Sequence, residues 1–371
     1  MKKIAIITNM MSFYRLDLFN ELAKNRYYKF HFIFSSETEK NNRIWEINKD
    51  KIDFEYTILN SKSVIKKSRG IIETRVINIP KAVFKTLKKI DPDVIIASEY
   101  NLTSVKSFFY AKLRRKKFIS WSDGTLNSER FISKPQLFIR KFICKKADYF
   151  IASSTETREA QIKYGANKNN IALSFLAIDV EAFITALQKL TKNSNDAPRI
   201  LFCGYLLKLK GVANLLSALK DIQTDFILDI IGSGEEEKNL RDLAKKYSLE
   251  DKVIFHGYKN REEIVKFYKN ADIFIFPSLN DAFGLALVEA LAARLPIIAS
   301  KYAGGARDTV LENENGYIID PENTDKFREK IEILLRDEKL RKIMGEKSFR
   351  LSEKFFLKNV ARGFFEAIEK C

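Results

Sequence analysis

Short, almost continuously apolar runs recur along this chain, each parted from the next by a segment whose apolar residues have helical spacing. In the first half the runs are Lys3–Thr8, Phe30–Ser35, Val94–Ala97, Lys117–Trp121 and Tyr149–Ala152. Helical patterns occupy Leu16–Lys24, Val83–Ile90, Val105–Leu113 and Pro135–Lys146. Runs that are apolar throughout, rather than alternating, predict strands covered on both faces. Strands alternating with helices predict an α/β fold built on a parallel sheet. The pattern stops in the polar, turn-rich stretch Thr191–Pro198 and then restarts. New strands are expected at Arg199–Cys203, Phe226–Ile231, Val253–His256, Ile273–Phe276 and Pro296–Ala299, with helices at Val212–Leu219, Glu235–Tyr247, Arg261–Lys269 and Phe283–Ala293. The architecture implied is two doubly wound, Rossmann-like domains facing a central cleft, over residues 1–190 and 199–350. In such sheets ligands collect at the carboxyl ends of the strands.

Composition removes several alternatives. A chain of 371 residues with 46% hydrophobic side chains can bury two cores. No apolar run approaches the roughly 20 residues that span a bilayer, and Ile4–Ile7 is too short an apolar run for a signal peptide. Cys144, Cys203 and Cys371 form no disulfide or metal pattern, which fits a reducing, cytoplasmic setting. With only His31 and His256, a multi-histidine metal site is excluded. Asp91-Pro-Asp93 falls at the amino end of an expected strand and reads as a turn rather than a metal ligand.

The net charge of +17 is unevenly spread. Residues 1–190 hold 35 Lys and Arg against 19 Asp and Glu, whereas residues 191–371 hold 30 against 29. The first half therefore carries a positive field suited to an anionic partner. Lys112-Leu-Arg-Arg-Lys-Lys117 and Phe138-Ile-Arg-Lys-Phe-Ile-Cys-Lys-Lys146 concentrate it, mixing basic residues with aromatics as surface helices on anionic membranes do. No nucleic-acid-binding motif accompanies the charge, so nucleic acid is not expected as a partner.

Chemistry concentrates at the strand ends of the second half. In Phe276-Pro-Ser-Leu-Asn-Asp-Ala-Phe-Gly-Leu-Ala-Leu-Val-Glu-Ala290 a strand ends, a loop follows and a helix begins near Phe283. Free N–H groups there suit a phosphate or a sugar hydroxyl. Asp281 lies at the helix entrance, where capping alone would account for it. Glu289, two turns on in an apolar helix, needs a polar partner. In Phe202-Cys-Gly-Tyr-Leu-Leu-Lys-Leu-Lys-Gly-Val212, Gly204 allows close backbone approach, and Lys210 sits at a helix start, where a cation is unfavourable unless an anion joins it. Ile231-Gly-Ser-Gly234 is a tight turn, and Lys301-Tyr-Ala-Gly-Gly-Ala-Arg307 is another candidate anion-binding loop.

In order, these segments resemble the donor domain of retaining glycosyltransferases of family 4, which have the GT-B fold. The match comprises Gly204…Lys210-Gly211, Gly232-Ser-Gly234, Phe255-His-Gly257, Pro277-Ser278…Asp281-x7-Glu289, Leu295-Pro-Ile-Ile-Ala299, Gly304-Gly305 and Asn315-Gly316-Tyr-Ile-Ile-Asp320. The resemblance implies a donor site of Gly204, Tyr205, Lys208, Lys210, Gly232, His256, Tyr258, Asp281, Ala282, Phe283, Gly284, Leu285 and Glu289. Glu289 would bind the nucleotide ribose, Asp281 the donor sugar and Lys210 the diphosphate, with His256–Tyr258 near the base. The chain departs from the family where Asp281 replaces a glutamate and Tyr205 an arginine, leaving Lys208 as the second cation. In the first domain Asp123, within Trp121-Ser-Asp-Gly124, stands nearest the family's histidine position, and Ser12 and Arg15 follow the first strand as acceptor-binding candidates. A C-terminal helix in 351–371, over Phe355–Ala367, would cross back onto the first domain.

The function implied is metal-independent, cofactor-free retaining transfer of a hexose-type sugar from a UDP- or GDP-linked donor to a glycan hydroxyl. Lys210, Asp281 and Asp123 would be the catalytic residues. The acceptor class expected is a lipid-diphosphate-linked glycan of surface polysaccharide synthesis, met at an anionic membrane by a peripheral protein on its cytoplasmic face. The alternatives are a nucleotide-sugar epimerase on the same fold and a catalytically inactive transferase-like subunit.

Overall fold

The computed structural model describes residues 1–37, 49–59, 61–66, 75–194 and 197–371. Asn195 and Asp196 of the polar stretch lie outside the described residues. The chain divides into two compact units, one of Met1–Asp179 with Leu357–Cys371 and one of Val180–Phe356. Each is built on a parallel sheet, as the apolar runs predict.

Unit 1 contains β1 (Lys2–Met10), α1 (Phe13–Ala23), β2 (Tyr28–Ser36), β3 (Tyr56–Ile58), β4 (Lys62–Lys66), β5 (Arg75–Ile79), α2 (Val83–Ile90), β6 (Val94–Ser98), α3 (Leu102–Leu113), β7 (Lys117–Ser122), α4 (Lys134–Lys146), β8 (Tyr149–Ala152), α5 (Thr155–Tyr164) and β9 (Ile171–Leu173). Its main sheet runs β3-β2-β1-β6-β7-β8-β9, and β4 and β5 pair separately as an antiparallel ribbon. The central strands β6 and β7 are buried apart from Lys117 at the start of β7, with Val94 to Ser98 and Phe118 to Ser122 at most 2% exposed. That burial on both faces is why their sequences lack alternation. Asp91-Pro-Asp93 has a structural use: Asp93 accepts the Lys3 N–H at 2.8 Å, and Asp91 pairs with Lys116 at 2.9 Å.

Unit 2 opens with α6 (Val180–Gln188), so the division between units falls one helix before the polar stretch. Phe183 of α6 sets its ring edge-on to Tyr268 at 5.5 Å. There follow β10 (Arg199–Cys203), α7 (Val212–Leu219), β11 (Ile227–Ile231), α8 (Glu237–Lys246), β12 (Val253–Gly257), α9 (Arg261–Asn270), β13 (Ile273–Phe276), α10 (Leu285–Ala292), β14 (Ile297–Ser300), α11 (Ala306–Thr309), β15 (Gly316–Ile319), α12 (Thr324–Arg336) and α13 (Glu338–Ser352). The parallel sheet order is β12-β11-β10-β13-β14-β15. One core packs Ile200, Phe202, Ile230 and Ile275 against Leu215, Leu216, Phe327 and Ile331 from the helices.

The final helix, α14 (Leu357–Lys370), belongs to unit 1. Phe364, fully buried, meets Trp121 edge-on at 5.0 Å. Ser174 Oγ donates to the Val360 carbonyl at 2.9 Å, and Lys2 Nζ donates to the Ile368 carbonyl near the helix C-terminus, where a cation is favourable. Gly363 makes the close seating possible: a Cβ there would stand 2.1 Å from the Leu173 carbonyl oxygen. Gly363→Ala is therefore expected to lower unfolding stability by about 1–3 kcal/mol, the usual cost of overpacking a close contact. Urea denaturation measures it, and unchanged stability would mean that α14 is not held against β9.

Candidate functional site

A doubly wound sheet has one place where the strand order reverses, and the loops leaving the two strands there diverge to form a crevice. In unit 2 that place lies between β10 and β13. Lys210 ends a single 3-10 turn, Lys208–Lys210, so the expected helix opening at Lys210 gives way to a tighter turn, and α7 starts at Val212. Gly211 makes that turn in the left-handed region at φ +68°, and a Cβ there would lie 2.1 Å from the Pro277 carbonyl oxygen. The Leu279 N–H completes the junction by donating to Leu209 O at 2.7 Å. Lys210 Nζ then reaches Asp281 Oδ2 at 2.6 Å, with each side chain about one-sixth exposed. A pair so placed is screened less than a surface pair.

Asp281 also organises its own loop. Its Oδ1 accepts the Phe283 N–H at 3.1 Å, and its carbonyl accepts the Gly304 N–H at 3.0 Å. The Gly305 N–H donates to Phe283 O at 2.9 Å. The Gly304-Gly305 amides thus brace the 281–283 loop rather than standing open to an anion. Gly284, at φ +97°, delays the start of α10 to Leu285, two residues after the expected start at Phe283. Phe283 itself is buried, and Ala282 and Leu285 are partly exposed.

Two polar atoms of this loop stand out. Ser278 Oγ and Asn280 Oδ1 are buried and have no hydrogen-bond partner among the described residues. An unsatisfied buried polar group costs about 1–3 kcal/mol, so such atoms mark where a partner belongs. Pro277-Ser278 is part of the recognised motif, but a serine and an asparagine in a loop sequence give no sign of being unpaired.

Glu289 finds the partner its position demands. Tyr268, fully buried on α9, donates its hydroxyl to Glu289 Oε2 at 2.6 Å. Burial pushes the Glu289 carboxyl above the usual carboxylate range and the Tyr268 phenol well above its own. Glu289 keeps part of its surface exposed, so one oxygen is held and the other retains lone pairs for a ligand. Gly204 and Gly232 touch through their backbones; a Cβ on Gly232 would lie 1.9 Å from Gly204 O. Lys208 and Tyr258 are exposed, and Tyr205 is partly so. His256 is turned elsewhere. Its Nε2 lies 2.7 Å from Asp229 Oδ1, and Arg199 binds the same carboxylate through two nitrogens at 2.6 and 2.7 Å. This triad lies on the strands themselves, and the imidazole packs against Phe267 at 4.6 Å.

In unit 1 the order reverses between β1 and β6. Arg15, in the first turn of α1, is buried and stacks over Trp121 at 4.3 Å. Its guanidinium donates to Ser98 Oγ at 2.9 Å and forms a short ion pair with Asp123. Asp123 accepts a second short bond from Ser153 Oγ. Ser12, which precedes α1, is buried. The structure therefore brings Arg15 and Asp123 together, 108 residues apart in sequence. It adds Glu99, which sequence reading passed over: the carboxylate accepts the Asp123 N–H at 2.7 Å and the Ser122 hydroxyl at 3.2 Å.

Residues 183–350 match the family described as glycosyl transferases group 1. An uncharacterised glycosyltransferase of Methanocaldococcus jannaschii is 29% identical over 308 residues, 78% of either chain. The N-acetylgalactosamine-N,N'-diacetylbacillosaminyl-diphospho-undecaprenol 4-alpha-N-acetylgalactosaminyltransferase of Campylobacter jejuni is 27% identical over 62% of this chain and 63% of its own. Among solved structures, Anabaena HepE in complex with UDP-glucose superposes with a TM-score of 0.75 at 17% identity, covering all of both chains. The sheets, the reversals and these likenesses agree: the chain is a glycosyltransferase of GT-B fold whose residues 183–350 form a glycosyl transferases group 1 domain.

Proposed function

We propose that this glycosyltransferase moves a hexose-type sugar from a UDP- or GDP-linked donor to a hydroxyl of a lipid-diphosphate-linked glycan, retaining the anomeric configuration, with no metal ion or other cofactor. The observation that carries the donor half is the Lys210–Asp281 pair, at 2.6 Å, where the strand order of the unit 2 sheet reverses. A bound diphosphate draws Lys210 away from Asp281, which frees the carboxylate to accept a hydroxyl of the donor sugar. Glu289, steadied by Tyr268, accepts from the ribose diol, and the orphaned Ser278 and Asn280 lie in the same loop. As the bond from the anomeric carbon to the diphosphate breaks, charge grows on the departing oxygen. Lys210 and the amino end of α7 stabilise it. The acceptor oxygen forms its bond on the same face, and its proton passes to the departing diphosphate. Asp123, held by Arg15 and Ser153, orients the acceptor in unit 1.

The acceptor class is supported by the Campylobacter relative, whose name specifies a diphospho-undecaprenol-linked glycan. It is supported too by the surface of unit 1. Phe109 and Leu113 on α3 and Phe138 on α4 are 46%, 72% and 70% exposed. Phe138 stacks on Phe142 at 6.3 Å, and Phe109 lies 6.1 Å from the same ring, so the aromatics form one patch across two helices. Arg114, Arg115, Lys141, Lys145 and Lys146 are exposed on the same two helices and the turn after α3. An apolar patch ringed by cations suits an anionic bilayer surface. Among the described residues no helix is long and apolar enough to cross a membrane. The protein is thus read as peripheral on the cytoplasmic face of the membrane that carries its acceptor.

Lys210→Ala is expected to lower turnover by roughly 10²–10³-fold, about 3–4 kcal/mol, as for the loss of one donor to a developing oxyanion. Steady-state rates of UDP or GDP release measure it, and wild-type turnover in the variant would remove Lys210 from the reaction. Vesicles containing phosphatidylglycerol are expected to sediment the wild-type protein at low salt, less so at high salt, and Phe109→Glu/Phe138→Glu should stay in solution. Equal sedimentation of both proteins would exclude the patch as the membrane contact.

A further inference from the structure

At the reversal in unit 1, two arginines face three carboxyl groups. Arg15 of α1 pairs with Asp123. Arg140 of α4 binds Glu129 through two nitrogens, at 2.5 and 2.7 Å, and Tyr164 of α5 donates to the same carboxylate at 2.9 Å. Among the described residues the third carboxyl, Glu99, has no cation of its own and is bound by neutral donors, the Asp123 N–H and the Ser122 hydroxyl. Its position is a strained one. Glu99 directly follows β6 with φ +63°, a conformation costly for a residue with a Cβ, and its N–H is anchored to Trp121 O at 2.7 Å. The surroundings hold it there so that its carboxylate underpins the backbone of Asp123.

We propose that Glu99 is a positioning residue whose ionised carboxylate holds Asp123 and its Arg15 partner in the arrangement that receives the acceptor, and whose protonation loosens that arrangement. The proposal rests on the reading that unit 1 orients the acceptor. Charge counting makes Glu99 the site where a proton is held. Asp123 and Glu129 are each matched by an arginine, so the cluster is balanced when Glu99 is neutral and carries one excess negative charge when it is ionised. Burial, with the nearby charges of Asp123 and Glu129, pushes its carboxyl up to about 7 against the pull of Arg15. Arg140 and the buried phenol of Tyr100 also lie within its field. Below that value Glu99 carries the proton. Above it both oxygens accept, one from the Asp123 N–H and one from Ser122.

The test needs two readouts. In the ligand-free protein, the ¹⁵N–¹H resonance of Asp123 is expected to titrate with a midpoint near pH 7 and to lose that step in Glu99→Gln, which keeps the shape of the protonated acid. In the second readout, UDP release from UDP-glucose with octyl glucoside as acceptor is followed from pH 5 to 9. The wild-type rate should rise about ten-fold through neutrality, and the variant should stay flat at the wild-type acid level, with Glu99→Asp restoring part of the rise. Thermal melting and UDP binding establish that each variant is folded with unit 2 intact. An Asp123 resonance that does not titrate near neutrality, or that titrates alike in Glu99→Gln, would overturn the proposal. If the Asp123 amide resonance follows Glu99 as expected but the wild-type rate is independent of pH, the role in transfer is overturned. If no sugar moves at any pH while the Asp123 amide resonance follows Glu99, the linkage stands and it is the proposed reaction that fails.

Discussion

A parallel sheet covered by helices on both faces buries nearly every side chain along its strands, so polar chemistry is confined to the strand ends. That constraint governs both units here. Where the strand order reverses, the loops at two neighbouring carboxyl ends part company, and each sheet has one such place. In unit 2 it gathers Lys210 from the loop after β10 and Asp281 from the loop after β13. In unit 1 it gathers Arg15 after β1, Ser98 and Glu99 at the end of β6, and Asp123 after β7. The same topology, used twice, supplies two polar constellations on otherwise apolar scaffolds.

Within those constellations charge is matched rather than displayed. Lys210 pairs with Asp281, Arg15 with Asp123 and Arg140 with Glu129. Desolvating a lone charge costs several kcal/mol, so partly buried charges persist when each has a counterion and hydrogen bonds. Two carboxyls escape this pairing. Glu289 leans on the Tyr268 hydroxyl and Glu99 on a backbone amide and a serine, and burial raises the pKa of both. Groups held in that way respond to a ligand or a proton more readily than a satisfied ion pair does.

Much of this was legible in the residues. Val83–Ile90, Arg199–Cys203 and Ile273–Phe276 fall where their apolar patterns put them, because nothing competes with burial there. Three-residue strands such as Tyr56–Ile58 and Ile171–Leu173 are too short to show a period. The helix Thr155–Tyr164 buries Thr157 and Gln161, so its inner face does not look apolar. The motifs around Lys210, Asp281 and Glu289 lie close to their strands and could be read directly. Glu99 could not, because a left-handed glutamate leaves no mark on the sequence. Nor could the partner of Arg15, which arrives from 108 residues away. His256 falls at the end of its expected strand, but its capture by the buried Asp229 of the neighbouring strand could not be read from the sequence.

The claim on which the rest turns is that a nucleoside diphosphate sits where the loops after β10 and β13 meet. Adding UDP to the isotopically labelled protein and mapping amide shifts tests it directly. The largest changes should fall on residues 204–211 and 277–289, with the Lys210 Nζ signal moving as its pairing with Asp281 is exchanged for the diphosphate. Changes centred on the Arg199–Asp229–His256 triad, with Lys210 and Asp281 undisturbed, would contradict it.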